Sequence, residues 1–118
     1  MKDYKKILVW EKAHALVVKV YAEAFADFPK DESFRLVSQI KRAAYSIPLN
    51  IVEGASRNTD KDFAHFLDMA LASCVELEYA LFLAKDLDFL PLQKYEEFND
   101  RTGEVKAMLI GFIKKIRR

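Results

Sequence analysis

The amino-acid sequence predicts an all-α protein: an antiparallel up-down-up-down four-helix bundle that forms one domain over residues 1–118. Three observations lead to this fold class. Apolar residues recur at helical spacing along almost the whole chain. Only 3 Gly and 3 Pro are present, too few for a many-turned β architecture. The interruptions between the periodic segments are short, and short links join antiparallel neighbours.

The first two helices are predicted at about residues 7–27 and 31–55. Pro29 ends the first of them, because proline cannot continue a helix. Pro48 lies inside the second helix, where it lacks the amide that would complete a backbone hydrogen bond, and it should kink the helix there. Gly54 and the polar residues after it mark the end of the second helix.

The last two helices are predicted at about residues 60–87 and 91–116. Thr59 followed by Asp62 resembles a capping box at the start of the third helix, with aspartate in place of the usual glutamate. Pro91 suits the first turn of the fourth helix. Apolar residues in that helix alternate spacings of three and four, a heptad pattern that predicts one buried stripe.

Composition excludes several classes of protein. A chain with 52% hydrophobic and 31% charged residues is not intrinsically disordered. Cys74 is the only cysteine, so no internal disulfide can form, which suits a reducing compartment. No apolar run approaches the roughly 20 residues of a membrane span, and the N-terminus lacks the apolar core of a signal peptide. We therefore expect a cytoplasmic protein that makes no membrane contact.

Two helices carry more apolar surface than the core of one bundle needs. In the first helix the apolar arc covers about 180° at 100° per residue, and in the second a further apolar face lies beside the core face. Leaving this surface exposed would create an adhesive patch, which predicts a homo-oligomer; the alternative is a few tolerated surface aromatics. The predicted interface residues are Trp10, Tyr21, Phe25, Phe34, Tyr45, Leu49 and Val52.

A seam of polar residues runs between the two apolar faces of the second helix. Spacings of three and four place its members on one side of that helix. The seam consists of Arg35, Gln39, Arg42, Ser46, Asn50, Glu53 and Arg57. Two interpretations stay open. The residues satisfy one another and fix the geometry of the interface, or they form a groove that contacts a ligand or RNA.

Bundle proteins can hold metals through Glu-x-x-His pairs that point inward. Glu11 and His14 have that spacing, and so, more loosely, do Asp62 and His65. Helical phase places Glu11 about 140° and His65 about 160° from the centres of their apolar faces. Neither pair can direct all its ligands into one core, so no metal site is expected.

The sequence also contains no pattern that predicts a catalytic nucleophile or a nucleotide-binding loop. Cys74 falls on an apolar helix face, where burial suppresses thiol reactivity. Ser46 and Ser73 have no histidine on their own helix faces, and no glycine-rich phosphate loop is present. Gly103 and Gly111 are isolated and suggest close packing. We expect no catalytic residues, no cofactor and no small-molecule substrate.

Charge is distributed unevenly although the net charge is only +1. An up-down bundle gathers nine basic residues at one end against Asp3, Asp60 and Asp62, a local charge of +6, while the other end reaches −3. A cyclic oligomer would collect the basic ends of all its copies on one rim, which could bind phosphates, although basic tails also simply aid solubility. The candidate nucleic-acid-binding residues are Lys2, Lys5, Lys6, Arg57, Lys61, Lys114, Lys115, Arg117 and Arg118.

Ordered motifs along nearly the whole chain resemble those of a known family. They are the opening segment Leu8–His14, Phe28–Pro29, Gln39–Ala44 and above all Ser46–Gly54, followed by Arg57 and by positions between Phe63 and Leu77. The chain resembles the four helix bundle proteins, also called 23S ribosomal RNA intervening-sequence proteins. Lys41, Val52 and Ala72 depart from the usual pattern, and Ala72 replaces a glycine that would allow a close helix approach.

The resemblance implies a homopentamer with no established enzyme activity. Some relatives are encoded within insertions in 23S rRNA genes. A related group, the accessory variability determinants of diversity-generating retroelements, is pentameric and associates with nucleic acid and a reverse transcriptase. The leading hypothesis is therefore a non-enzymatic oligomer that binds RNA, DNA or a ribonucleoprotein; the alternative is a protein-binding scaffold with no nucleic-acid role.

Overall fold

The computed structural model describes residues 2–118 and confirms an all-α four-helix bundle. Each helix packs along its neighbour in the chain, and the first also packs along the fourth, whereas the diagonal pairs do not approach each other within the described residues. The bundle measures 44 × 23 × 19 Å. The helices are α1 (Leu8–Glu23), α2 (Leu36–Ala55), α3 (Asp60–Asp86) and α4 (Leu92–Ile116), with short 3-10 helices at Tyr4–Lys6 and Lys30–Glu32.

The core lies along the axis of the bundle and receives large side chains from every helix. Leu16, Ile47, Phe63, Leu77 and Leu109 are at most 1% exposed. Burying a side chain of this size stabilises the fold by about 1.5–3 kcal/mol. The residues that recur at helical spacing in the sequence are therefore the ones whose burial stabilises the bundle.

The link between α1 and α2 is much longer than the sequence predicts. The first helix ends at Glu23 rather than near residue 27, and the second begins at Leu36 rather than residue 31. Phe28 packs edge-on against Phe25 at 5.2 Å between ring centroids and also contacts Phe89, 5.6 Å away. These aromatic contacts hold the link against the α3–α4 connection and draw it out of helical geometry.

A side-chain hydrogen bond accounts for the late start of α2. The Ser33 hydroxyl donates to the Lys30 carbonyl at 2.9 Å, and it satisfies locally a carbonyl that a continuing helix would use. Asp31 and Glu32, which fall in the first turn of the helix predicted from residue 31, lie instead in the short 3-10 helix Lys30–Glu32.

The ends of α3 agree closely with the predicted limits. Thr59 Oγ1 accepts a hydrogen bond from the Asp62 amide at 3.1 Å, which confirms the predicted N-cap. At the C-terminus the Phe89 amide donates to the Ala84 carbonyl and the Asp88 amide to the Lys85 carbonyl. This is a Schellman motif, and Asp88 occupies its left-handed position with a φ of 62°. The fourth helix begins one residue later than predicted, because Pro91 is its N-cap.

Helix α2 continues through Pro48, which is buried, and packs tightly on α3 at Gly54. A Cβ at Gly54 would lie 2.8 Å from Phe63 Cδ1 and 2.9 Å from Phe66 Cβ. A Cβ at Gly103 or Gly111 would have no atom within 4 Å among the described residues, so the close packing expected at those two positions is wrong for the single chain. Gly54 lies beside the predicted end of α2, and it is also the glycine that close packing requires.

Candidate functional site

The structure brings the basic residues of three chain segments to one end of the bundle. The Lys2 amide donates to the Ala55 carbonyl at 2.8 Å, which fixes the N-terminal segment beside the α2–α3 connection. Lys2 Nζ lies 3.6 Å from a carboxylate oxygen of Asp60. The C-terminus joins the same end, because the Arg117 side chain reaches Asp68 on α3. The topology therefore assembles a surface that the linear sequence leaves dispersed.

Arg117 is paired with a carboxylate that the count of charges from the sequence does not include. Its Nη1 donates to Asp68 Oδ1 at 2.9 Å and its Nη2 donates to the other carboxylate oxygen, so the two side chains form a bidentate ion pair. The hydrogen bond from Arg117 lowers the pKa of Asp68, and Asp68 in turn raises the pKa of Arg117. Counting Asp68 reduces the predicted local charge from +6 to +5.

Aromatic contacts hold other parts of the basic end. The Arg57 guanidinium lies 4.6 Å from the centroid of the Phe66 ring, and Lys2 Nζ lies 5.1 Å from that of Phe63. Tyr4 packs edge-on against Trp10 at 5.0 Å. Seven of the nine candidate cations nevertheless have no ion-pair partner within residues 2–118: Lys5, Lys6, Arg57, Lys61, Lys114, Lys115 and Arg118.

The middle of the polar seam forms a hydrogen-bonded chain between α2 and α3. Asn50 Nδ2 donates to Ser46 Oγ at 3.1 Å, and the Ser46 and Ser73 hydroxyls lie 2.8 Å apart. Ser73 Oγ donates to the Met69 carbonyl at 3.1 Å. Because each hydroxyl has one hydrogen, Ser46 is the donor to Ser73. The half-buried Ser46 and the buried Ser73 thus join α2 to α3.

The other seam residues take no part in this hydrogen-bonded chain. Arg35, Gln39, Arg42, Glu53 and Arg57 are exposed. Neither Arg42 nor Glu53 has an ion-pair partner within residues 2–118. Gln39 and Glu76 line a cleft of about 210 Å³ between α2 and α3. The seam thus divides into an internal part that joins helices and an external part that is available to a partner.

The predicted interface residues lie on the α1–α2 side with unequal exposure. Phe34 is 95% exposed, while Tyr21, Tyr45 and Leu49 are each nearly half exposed. Lys41 Nζ stacks over the rings of Tyr21 at 5.0 Å and Phe25 at 5.5 Å, so it joins the aromatic edge of α1 to α2. Trp10, Phe25 and Val52 are half-buried. Trp10 lies between Tyr4 and His14, and its ring stacks on the imidazole at 5.1 Å.

The structure also has a second exposed apolar surface, on α3, which the sequence patterns above do not predict. Val75, Tyr79 and Phe82 are 53%, 63% and 43% exposed, and Ala72 continues the same line. Their spacings of three, four and three place them on one side of α3, about 145° from the centre of its core face. That spacing could have revealed the surface, but the stronger core periodicity of the same helix obscured it.

The model of one protein family matches the chain over residues 5–111, and the family is described as 23S rRNA-intervening sequence protein. The match spans most of the chain, with the first three helices complete and most of α4. The chain belongs to this family.

A crystal structure at 1.70 Å resolution is similar to this member of the family. It is described as a protein of unknown function from the S23 ribosomal protein family of Bacteroides thetaiotaomicron. The two share 28% sequence identity and a TM-score of 0.82, and the match covers 90% of this chain and 98% of the other. No curated protein matches the chain.

The histidine-containing pairs of this family member lie on its surface. Glu11, His14, Asp62 and His65 are all exposed. Within residues 2–118 no three His, Cys, Asp or Glu residues are grouped so that they could hold a metal ion. Over the same residues, no helix combines the length and apolar character of a membrane span.

Proposed function

We propose that this member of the 23S rRNA-intervening sequence family is a non-enzymatic, cytoplasmic, self-associating bundle that binds nucleic acid through its basic end. The observation that carries the proposal is the convergence of three chain segments at one end, where seven cations have no ion-pair partner within residues 2–118. The description of the family links it to ribosomal RNA and supports a nucleic acid as the partner. The proposed assembly is a homopentamer.

The chemistry of the basic end suits the nucleic-acid backbone rather than base sequence. Lysine and arginine contacts to phosphates position a nucleic acid and release counterions, so binding falls steeply with salt. Tyr4 packs against Trp10, so it is less suited to stacking on a base than its position among lysines suggests. We therefore expect weak sequence preference.

Replacing the three unpaired cations of the C-terminal tail should weaken binding. We expect the triple variant Lys114→Gln, Lys115→Gln and Arg118→Gln to bind at least about tenfold more weakly near physiological salt, because each phosphate contact contributes a slope of about −0.9 to log K against log salt on duplex DNA. Arg117 is left intact because it pairs with Asp68. Gel shifts with single- and double-stranded RNA and DNA over a salt series measure the effect.

The matched control removes three cations elsewhere: Lys30→Gln, Lys94→Gln and Arg101→Gln. It should bind like the parent. Equal binding by parent and tail variant would reject the basic end as the site. If Arg42→Ala then weakened binding without altering the oligomer, the external seam would be the contact surface. A parent that binds none of the four nucleic acids at low salt would favour the alternative, a protein-binding scaffold, which the exposed apolar surfaces support.

Self-association has its own test. We expect light scattering to give a mass of about five times 13.7 kDa for the parent, and Leu49→Glu to give a monomer, because an unpaired carboxylate is costly to bury in an interface. The matched control is Leu8→Glu: Leu8 is 60% exposed against 48% for Leu49, but it lies beside Met108 and Phe112 on the α1–α4 side. A monomeric parent would contradict the proposal.

A further inference from the structure

Two apolar surfaces lie on different sides of the same bundle. The first, called here the α2 face, consists of Tyr45 and Leu49 with Tyr21 of α1 beside them. The second, the α3 stripe, consists of Ala72, Val75, Tyr79 and Phe82. A twofold dimer uses the same patch on both subunits and would cover only one of these surfaces, whereas a head-to-tail contact joins two different patches and covers both.

We propose that the α3 stripe is the surface onto which the α2 face of a second copy of this chain docks. The inference rests on the self-association proposed above, and it supplies the other half of that contact. Each copy then offers one surface to the copy before it and the other to the copy after it. Such a contact closes into a ring or grows into a filament.

The register of the two surfaces supports this pairing. The Ser46–Ser73 hydrogen bond marks residues of α2 and α3 at the same height along the bundle. At about 1.5 Å per residue in antiparallel helices, Tyr45 then lies within about 2 Å of the height of Val75, and Leu49 between those of Ala72 and Met69. A rotation about an axis parallel to the bundle leaves every height unchanged. The apolar residues of one copy therefore meet apolar residues of the next.

Charge complementarity points to the same pairing. Arg42 lies four residues before Ser46 and Glu76 three residues after Ser73, so their heights differ by only about 1.5 Å. Both side chains are exposed, and neither has an ion-pair partner within residues 2–118. Docking the α2 face of one copy on the α3 stripe of another brings these opposite charges together at the edge of an apolar contact.

The orientation has a consequence for the basic end. Because a rotation parallel to the bundle keeps all copies the same way up, every basic end lies on the same rim of the assembly. The head-to-tail contact thereby concentrates the cations that the proposed nucleic-acid interface uses. In this arrangement Arg42 belongs to the contact between subunits and not to the nucleic-acid interface.

The decisive experiment mixes two variants that each lack one half of the contact. We expect Leu49→Glu, which damages the α2 face, and Tyr79→Glu, which damages the α3 stripe, to be monomeric when purified alone. An equimolar mixture should form a dimer and nothing larger. The intact α3 stripe of Leu49→Glu can bind the intact α2 face of Tyr79→Glu, and the other surface of each copy is damaged. Light scattering measures the masses, and circular dichroism checks that each variant keeps its helices.

Each other outcome overturns a distinct part of the inference. If Tyr79→Glu assembles like the parent, the α3 stripe is not part of the contact although self-association stands. If the mixture stays monomeric, the two surfaces do not bind each other. A monomeric parent rejects the self-association itself. As a second measurement, Arg42→Glu should lower the oligomer mass and Arg42→Glu with Glu76→Arg should restore it; failure of that rescue removes the assigned register.

Discussion

Gly54→Ala should destabilise the protein more than any other single-methyl addition to its three glycines. The new Cβ would lie 2.8 Å from Phe63 Cδ1, 2.9 Å from Phe66 Cβ and 3.2 Å from the Phe63 carbonyl oxygen. Because Phe66 Cβ and the carbonyl are fixed to the backbone of α3, a rotamer change cannot relieve the clash. The two helices must separate, at a cost of about 1–3 kcal/mol, which exceeds the roughly 0.5–1 kcal/mol that alanine gains in helix propensity.

Gly103→Ala and Gly111→Ala are the matched controls. Both glycines lie in α4, and nothing among the described residues stands within 4 Å of an added Cβ. These variants should therefore gain about 0.5–1 kcal/mol of stability from helix propensity alone. Urea unfolding followed by circular dichroism measures all three. A Gly54→Ala protein as stable as the parent would show that α2 and α3 do not approach as closely as described.

Cys74 should react with iodoacetamide about 1000-fold more slowly in the native protein than in the unfolded chain near pH 8. Burial, reinforced by the negative charge of Glu78 and opposed by Lys106, raises the pKa of Cys74 from 9.0 to about 12. Three pH units correspond to about 1000-fold less thiolate, and the thiolate is the reactive form. The side chain is also completely buried, which adds a steric barrier.

A relocated thiol provides the control for that reaction. Cys74→Ala combined with Ala107→Cys places the single thiol at an exposed position of α4, where it should react at nearly the unfolded rate.

The raised pKa of Cys74 also predicts that the stability of the protein depends on pH. Above pH 9 the unfolded thiol loses its proton before the native one, so the parent should lose up to about 1.4 kcal/mol per pH unit relative to Cys74→Ala until about pH 12. Native alkylation within tenfold of the unfolded rate would contradict the burial of Cys74.

The positions of the helices could be predicted wherever local signals were strong. The Thr59 cap and the uninterrupted periodicity after it predict α3 to within one residue. The α1–α2 link could not be predicted, because it depends on Phe28 contacting Phe89, which lies 61 residues away in the sequence. A helix end set by a distant aromatic contact leaves no mark in local periodicity.

The candidate surfaces were predictable to a similar degree. Residue type and topology indicate the basic end, but the neutralisation of Arg117 by Asp68 joins residues 49 positions apart. The seam residues share a side of α2 by spacing alone. That Ser46 is the seam residue that joins α2 to α3 depends on its hydrogen bond with Ser73, which lies on another helix.

The sequence by itself determined that this protein is helical, which side of each helix forms the core, and that more apolar surface exists than one bundle can bury. These properties depend on spacing within single helices, which the order of residues specifies completely. Only the tertiary structure decided that Gly54 lies against Phe63 and Phe66, that Arg117 is paired, and that exposed apolar residues of α2 and α3 lie at similar heights along the bundle. Those properties depend on distances between helices, and such distances are set by packing of the whole core.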